Sequence, residues 1–325
     1  MSYITISKQN YFHNLDFLTK KLGSKDKLSV VLKDNAYGHG LKIMAQLSLE
    51  YGIKKAVVKT EKEALEIEDF FEDIIILNPD FSQKNFTLVI NSIDKLTYAK
   101  PEQKLHIKID TGMHRNGIMI EELERVHQIV TKNNLTITGA LTHFRSADEL
   151  SSELFWQEKK WNKAKNILKN MFGDTLLFHS GNSATVLRKN SYHDDFARCG
   201  IAIYGYHEMP SIFKNIYLKP ILKLYAHKIS SRTLKKGSRI GYGGVGVLDH
   251  DSTVSTYDIG YGDGFFRNLY PNIVGKISMD SFSMLGEKEE VCIIDDAKDI
   301  AQQNHNISYD VLVKINSDIK RVVIN

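Results

Sequence analysis

The chain has 325 residues, of which 42% are hydrophobic and 25% are charged, a composition typical of globular proteins. Its 43 basic and 39 acidic residues are intermixed, so we expect no nucleic-acid partner. No run approaches the roughly 20 apolar residues that cross a membrane, and the N-terminus lacks the apolar core of a signal peptide, so we expect a cytoplasmic protein.

Short apolar runs alternate with segments of helical periodicity through the first two thirds of the chain. Strands are predicted at 29–33, 55–59, 73–78, 87–91, 105–110, 137–144, 176–182 and 199–205. Helices are predicted between several of them, for example at 40–51, 61–71, 121–133 and 151–171. Eight strands that alternate with helices favour a closed (β/α)8 barrel of parallel strands. A doubly wound open sheet is the alternative.

The pattern changes after about residue 218, where β-branched segments follow one another with few helical signals. These segments predict a second, mostly β domain that contains one short helix near 296–304. The predicted domains are therefore a barrel at 8–217 and a β domain at 218–325. The strand at 2–6 precedes the first βα unit, and we expect it to join the β domain.

Several polar residues follow the predicted barrel strands at their C-terminal ends, which is where barrel enzymes place their active sites. Lys33 ends the first strand, and His143 and His179 lie near the ends of the sixth and seventh. Arg198 borders the eighth strand, and would lie at its end if that strand were 195–199, "DFARC". One such lysine is usually a solvated rim residue, but the convergence of several groups indicates a site.

Other motifs are excluded by their context. The letters "GYGGVG" at 241–246 match a dinucleotide-binding pattern, but no βαβ unit surrounds them. "DTG" at 110–112 also occurs in aspartic proteases, which need a second such motif and an all-β fold. Cys199 and Cys292 are too few and too distant for a disulfide framework or zinc site, and no metal is expected.

Eight segments occur in the order found in bacterial alanine racemases, which are fold type III pyridoxal 5′-phosphate enzymes. They are "VLKDNAYGHG", "KIDTGMHRNG", "LTHFRSADE", "HSGNSA", "ARCGIAIYG", "GYGG", "IGYGDGF" and "ISMD". The chain resembles this family from about Ile4 to near its C-terminus. The resemblance implies an isomerase that interconverts L-alanine and D-alanine and supplies D-alanine for peptidoglycan. It also implies a homodimer with shared active sites and a small amino-acid substrate.

The resemblance also implies a role for two catalytic residues. Lys33 is similar to the lysine that forms the Schiff base with the cofactor, which explains why an apolar strand ends in a lysine. Tyr242 is similar to the tyrosine that serves the opposite face of Cα, so the mechanism would use two bases through a pyridoxal phosphate aldimine.

Further residues match the family's binding positions. Arg198 resembles the arginine that faces the pyridine nitrogen, and His143 the histidine between that arginine and the catalytic tyrosine. The implied cofactor-binding residues are Lys33, Tyr37, His143, Asn182, Ser183, Arg198, Gly200 and Ile201. The implied substrate-binding residues are Arg115, Tyr261, Met279 and Asp280, and Lys108 matches a lysine that is often carbamylated.

One position departs from the family. Ser317 stands where a tyrosine usually reaches the phosphate and lines the entrance, so a wider entrance and looser substrate choice become possible. The alternatives are therefore a serine racemase or one of broader specificity. A fold type III decarboxylase fits the motifs less well. A protein that holds the cofactor without turnover would have little use for Tyr242 and Met279.

Overall fold

The structure is a computed structural model that describes residues 1–265 and 272–325. Its Cα positions separate into two compact units, named here the barrel unit and the β unit. The barrel unit comprises Phe12–Ala36 and Leu41–Leu218. The β unit comprises Met1–Tyr11, Tyr37–Gly40 and Lys219–Asn325. The sequence-based bounds put Tyr37–Gly40 in the barrel domain, whereas in the structure these residues belong to the β unit.

The strands of the described residues are numbered in chain order. They are β1 (Tyr3–Ser7), β2 (Leu28–Val31), β3 (Lys55–Val58), β4 (Asp73–Ile76), β5 (Thr87–Ile90), β6 (Lys104–Lys108), β7 (Thr136–Leu141), β8 (Leu177–His179), β9 (Ala197–Cys199), β10 (Leu222–Leu234), β11 (Arg239–Ile240), β12 (Gly246–Val247), β13 (Ser252–Tyr257), β14 (Phe282–Leu285), β15 (Glu290–Ile294) and β16 (Lys320–Ile324).

Each predicted helix matches an α-helix of the structure to within a few residues, except that the predicted 61–71 helix stops at Glu66 and is followed by a 3-10 turn, Glu68–Phe70. The helices Lys8–Leu22, Ser183–Arg188 and Ser308–Val313 were not among those predicted. The helices are Lys8–Leu22, Leu41–Tyr51, Glu61–Glu66, Leu123–Lys132, Glu153–Phe172, Ser183–Arg188, Ala297–Gln303 and Ser308–Val313. Within the described ranges, none of the helices is long and apolar enough to cross a membrane.

The barrel unit is built on strands β2 to β9, which form one parallel sheet in the order β8-β7-β6-β5-β4-β3-β2-β9. Two backbone bonds join the segments at its ends, from Asp195 N to Phe178 O at 2.9 Å and from Arg198 N to Gly181 O at 2.9 Å. The sheet therefore closes on itself, and the prediction of a (β/α)8 barrel rather than an open sheet is confirmed.

The predicted strand at 199–205 is wrong. The strand β9 ends at Cys199, so the alternative segment, 195–199, contains it, and Ile201–Tyr204 form a 3-10 turn that Gly205 ends at φ 98°. The strand and the turn are both buried. A short apolar run has the same composition in a buried strand and in a buried turn, so hydrophobicity cannot separate them.

The β unit contains a sheet of order β14-β13-β10-β1-β16, in which β15 also pairs with β10. Strand β1 lies antiparallel to β10 and parallel to β16. The N-terminal residues are therefore part of a sheet whose other strands come from the C-terminal third of the chain. This unit is mostly β, as the sequence predicted.

An uncommon backbone turn follows β2. Asp34, Asn35, Ala36 and Tyr37 all have φ between 52° and 54°, a left-handed conformation that costs a non-glycine residue about 1–2 kcal/mol. The backbone N–H of Ala36 donates to Leu32 O at 2.8 Å, and Asn35 Oδ1 accepts from the N–H of Leu41 at 2.9 Å. These bonds hold the backbone immediately after Lys33 in one conformation.

Glu63 holds the same turn from the neighbouring βα unit. Its Oε1 accepts from the N–H of Asp34 at 2.7 Å, and its Oε2 accepts from the N–H groups of Lys59 at 2.8 Å and Thr60 at 3.1 Å. Thr60 Oγ1 in turn accepts from the N–H of Glu63, which completes a capping box at the start of the helix. One carboxylate thus joins the loop after β3 to the turn after β2.

We predict that Glu63→Gln lowers the thermal midpoint, because an amide has one acceptor oxygen, whereas the carboxylate has two, which accept from three backbone N–H groups. The expected loss in the free energy of unfolding is about 1–3 kcal/mol. The matched control is Glu66→Gln, which changes an exposed glutamate of the same helix. Calorimetry that gave equal midpoints for the two variants would contradict the assigned role of Glu63.

Candidate active site at the barrel strand ends

Four charged or titratable side chains surround His143, just after β7. Burial is the first cause that lowers the pKa of His143, to about 3, and the positive charges of Arg198, Arg115, Lys108 and Lys33 follow in that order. Charges act on a pKa in this way only at short range. The residues that the sequence assigned to the C-terminal ends of different strands are therefore gathered around one point in the barrel unit.

Arg198, on β9, is buried and is held by neutral groups. Its Nη1 lies 2.9 Å from His179 Nδ1 and also donates to the carbonyl oxygen of His179, and its Nη2 donates to the carbonyl of Thr142 at 2.6 Å. Burial lowers the pKa of Arg198, but a guanidinium remains charged near neutral pH. The site therefore contains a fixed, desolvated positive charge.

Lys108 ends β6 and is buried beside this charge. Its Nζ donates to Asn116 Oδ1. Burial first, and then the charge of Arg115, lower the pKa of Lys108 to about 8, so a substantial fraction of its amine is neutral near pH 7.5. Arg115 lies in the loop after Asp110, whose Oδ1 accepts from the N–H groups of Gly112 at 2.9 Å and His114 at 3.1 Å.

Lys33 follows β2 and is half-buried. Its Nζ lies 3.7 Å from Asp34 Oδ2, and Asp34 Oδ1 contacts Lys59 Nζ at 3.2 Å. The amine of Lys33 thus has a carboxylate neighbour on its own turn, so a lysine that follows an apolar strand has a charged partner here. Tyr37, four residues later, belongs to the β unit, where its ring lies 5.9 Å from that of Tyr309.

A set of buried hydrogen-bond donors lies after the last two barrel strands. Ser183 Oγ accepts from the N–H groups of Gly200 at 3.1 Å and Ala202 at 3.3 Å, which leaves the hydroxyl proton of Ser183 able to donate. Ile201 is buried between these two N–H groups. Asn182 caps the helix that starts at Ser183: its Oδ1 accepts from the N–H of Thr185 at 2.9 Å, and its Nδ2 donates to Phe144 O at 3.3 Å. Both polar atoms of Asn182 therefore have protein partners.

The remaining predicted residues lie together on loops of the β unit. The N–H of Tyr261 donates to Ser278 O at 3.0 Å, and the N–H of Gly262 donates to Met279 O at 2.9 Å. These bonds place Tyr261 beside Met279 and Asp280. All three side chains are exposed, with 56% of Met279 accessible.

Tyr242 begins a 3-10 turn next to the same loops. Gly241, with φ 73°, packs so closely that a Cβ would lie 3.3 Å from the backbone N of Lys276, three residues before Met279. The Tyr242 side chain is 64% exposed. The β unit thus presents Tyr242 on an exposed turn that packs against the segment leading to Met279.

Sequence reasoning missed two contributors, Glu63 and His106. His106 lies inside the barrel on β6, where its Nδ1 is 2.8 Å from His179 Nε2. The alternation of "LHIK" places His106 and Lys108 on one face of the strand, and that was the available signal. Glu63 carried the capping-box pattern T-x-x-E, from which the start of a helix follows but not a contact with the turn after Lys33.

A closed (β/α)8 barrel with a desolvated cationic cluster at the C-terminal ends of its strands is typical of barrel enzymes, whose active sites lie at this face. Two family models match the chain: "Alanine racemase, N-terminal domain" at residues 6–208 and "Alanine racemase, C-terminal domain" at residues 221–323. The chain is 47% identical to an alanine racemase of a Nitratiruptor species, with 100% of both chains covered. It belongs to the alanine racemase family, whose members are isomerases that use pyridoxal 5′-phosphate.

Solved structures agree with this fold. The alanine racemase of Bacillus anthracis with bound L-Ala-P superimposes with a TM-score of 0.90 at 25% identity, over 100% of this chain and 95% of that one. A histidine racemase from Leuconostoc mesenteroides subsp. sake gives a TM-score of 0.88 at 23% identity, over 100% and 98% of the two chains. The second comparison concerns the fold alone, and that fold accommodates a racemase named for a much larger amino acid.

The lowered histidine pKa values predict acid sensitivity. The pKa values of His106 and His143 fall from 6.5 to about 3 in the folded chain, so the unfolded chain binds more protons between these values. Stability is therefore lost as the pH falls below 6.5 and is level above it, because the slope follows the protons taken up on unfolding. We expect thermal midpoints to decrease between about pH 6.5 and pH 5, where carboxylates still contribute little.

His143→Gln should flatten this slope by removing one of the buried groups. His127→Gln is the control, because His127 packs on Phe172 outside the cluster. Equal slopes in the His143→Gln and His127→Gln proteins would show that His143 does not have the lowered pKa.

Proposed function

We propose that this chain interconverts L-alanine and D-alanine with Lys33 as the base on one face of Cα and Tyr242 on the other. Racemisation removes a proton from one face and delivers one to the opposite face, and two groups do this most directly. The observation that carries the proposal is the strand-end lysine beside a buried arginine and a neutral histidine, in a chain of this family. A cytoplasmic location and a role in supplying D-alanine for peptidoglycan are part of the proposal.

The residues present fit pyridoxal 5′-phosphate. Lys33 offers an amine to its aldehyde. Ser183, whose Oγ accepts from two backbone N–H groups and whose hydroxyl proton can donate, lies after the last barrel strands, where barrel enzymes commonly bind phosphate. Ser183, Gly200 and Ile201 would hold that phosphate, with a hydroxyl from Tyr37. When bound, the cofactor supplies an electron-withdrawing ring that acidifies the Cα–H of the substrate.

Arg198 and His143 would set the protonation of the site. We assign Arg198 to the ring nitrogen, where a guanidinium has no proton to release at neutral pH. Arg198 would thus leave that nitrogen unprotonated, a condition that favours return of the proton to Cα over side reactions. His143, kept neutral by burial and by the charge of Arg198, would accept a hydrogen bond from the hydroxyl of the catalytic tyrosine and so orient that hydroxyl.

Arg115 is proposed to bind the substrate carboxylate, since it is a flexible cation at the rim of the cluster. Lys108 is the residue proposed for carbamylation. Its pKa of about 8 leaves neutral amine near pH 7.5, and the neutral amine is the form that adds CO₂ with loss of a proton. The product would be an anion in place of a cation beside Arg115, which would hold that guanidinium in position.

The substrate's size would be set by the β-unit loops. Tyr261, Met279 and Asp280 lie together on exposed loops, and we propose that they narrow the substrate pocket to a side chain as small as a methyl group. Ser317 favours a second candidate, a racemase that also accepts serine, because an exposed serine replaces the family's usual tyrosine. A protein that binds the cofactor without turnover is the remaining alternative, and incubation with L-alanine in deuterated water separates it, since only an enzyme exchanges the Cα proton.

The proposed assembly is a homodimer in which each site takes Lys33 from one chain and Tyr242 from the other. Exposed aromatic and apolar side chains on one surface are typical of interaction sites, and Tyr242 and Met279 are of this kind. A twofold dimer makes two identical sites in this way.

We predict that Tyr242→Phe removes proton transfer on one face only. Racemisation should fall by about 10²–10⁴-fold, the contribution of one general acid–base group. Exchange of the Cα proton of D-alanine, which Lys33 handles, should survive better than exchange with L-alanine. Proton NMR in deuterated water measures both rates, and an equal loss for the two enantiomers would mean that Tyr242 positions the substrate rather than moving a proton.

The shared site predicts rescue between two inactive variants. When Lys33→Ala and Tyr242→Phe proteins exchange subunits, one site of each mixed dimer carries both changes and the other has an intact Lys33 and Tyr242. Racemase activity should therefore return, up to about one active site per mixed dimer. A chain bearing both changes, mixed with the unchanged chain, is the control for subunit exchange. Mixed dimers demonstrated by mass without recovered activity would exclude the shared site.

A further inference from the structure

A chain of three buried polar side chains leads from the site into the barrel interior. Arg198 Nη1 lies 2.9 Å from His179 Nδ1, and His179 Nε2 lies 2.8 Å from His106 Nδ1. The three residues come from β9, β8 and β6, and each is almost fully buried. In this series of hydrogen bonds, His106 contacts His179, and His179 contacts Arg198.

The hydrogen-bonding capacities of these three side chains determine which atom donates and which accepts in each bond. A guanidinium only donates, so His179 Nδ1 must accept and its proton must lie on Nε2. That Nε2–H then donates to His106 Nδ1, which must also be an unprotonated acceptor. Burial, and then the charge of Arg198, lower the pKa of both imidazoles, that of His106 to about 3, which agrees with two neutral rings.

Local packing holds both imidazoles in place. A Cβ on Gly139 of the neighbouring strand would lie 2.6 Å from His106 Nε2 and 2.5 Å from the backbone oxygen of Leu177, so only glycine leaves room for the ring there. The pairing of β6 with β7 shifts register between Leu105 and His106. The ring of His179 stacks on Phe196 at 4.3 Å between centroids and 19° between planes.

We propose that His106 is a positioning residue: by accepting the His179 proton, it keeps His179 in the tautomer that receives Arg198, and so fixes the guanidinium in the site. The consequence for catalysis rests on the proposed function, in which Arg198 faces the cofactor ring. Without the acceptor, the Nε2–H of His179 is buried and unsatisfied. The other tautomer would direct an N–H at the donors of Arg198, so either state disturbs the guanidinium.

Two variants test the proposal. His106→Leu removes the acceptor, whereas His106→Asn keeps an amide oxygen close to the position of Nδ1 in a smaller side chain. In the holoenzyme, the Leu variant should shift the absorption maximum of the bound cofactor and its pH dependence. It should lower kcat by about tenfold, the effect of one buried hydrogen bond, with KM changed less than about threefold. The Asn variant should recover the spectrum and most of kcat.

A merely structural role predicts a different result. In that case both variants would lower the thermal midpoint while the cofactor spectrum, its pH dependence and the ratio of kcat to KM stayed as in the unchanged enzyme, and the proposal would be overturned. An equal spectral shift in the Leu and Asn variants would also overturn it, because the acceptor would then not be the feature that matters.

A measurement on the unchanged protein covers the case in which the Leu variant does not fold. Nitrogen-15 NMR of histidine-labelled holoenzyme should show His106 and His179 both protonated on Nε2 and unprotonated on Nδ1. A His179 protonated on Nδ1 would overturn the proposal whatever the variants do. This readout needs no substrate, so it stands apart from the proposed function, which fails if the enzyme exchanges no Cα proton of alanine.

Discussion

The barrel end depends on one costly feature, the guanidinium of Arg198 buried without a carboxylate among the groups that hold it. A buried cation is stable only where dipoles replace the lost water, and the carbonyls of His179 and Thr142 and an imidazole nitrogen do this. The uncompensated charge then adds to burial in lowering the pKa of His143. The same positive charge also contributes to lowering the pKa of Lys108, after burial and Arg115, so one buried guanidinium acts on several titratable groups of the barrel end.

The same end of the barrel stores backbone strain next to Lys33. Four left-handed residues in succession cost several kcal/mol, and the cost is offset by hydrogen bonds that Asn35 and Glu63 accept from the backbone. These bonds are made within the barrel unit, so the position of Lys33 depends on its own neighbours. A loop that must place one amine to within a fraction of an ångström benefits from such a fixed backbone.

The sequence predicted the barrel because its strands are short, fully buried runs separated by helical patterns. It could direct attention to one end of the barrel because polar residues follow those runs, but the roles of these residues stay predictions. The eighth strand was misplaced because Ile201–Tyr204 are as apolar as a strand. The left-handed turn could not be foreseen, since asparagine tolerates that conformation but alanine and tyrosine seldom adopt it. His106 was passed over because a histidine in an alternating strand becomes informative only when its partner, distant in sequence, is known.

The barrel unit and the β unit contribute different kinds of residue. In the proposed function, the barrel unit holds the charged and titratable groups that set the proton chemistry, and several of them are buried and act on one another's pKa values. The β unit presents Tyr261 and Met279 on exposed loops, where a change of size disturbs little packing. If these roles hold, substitutions at the loops would alter which amino acid is accepted while the proton chemistry stays the same, whereas a change at His143 or Arg198 would alter every coupled protonation state. Substrate choice and reaction type would then rest on separate sets of residues, which is how one fold can serve different substrates.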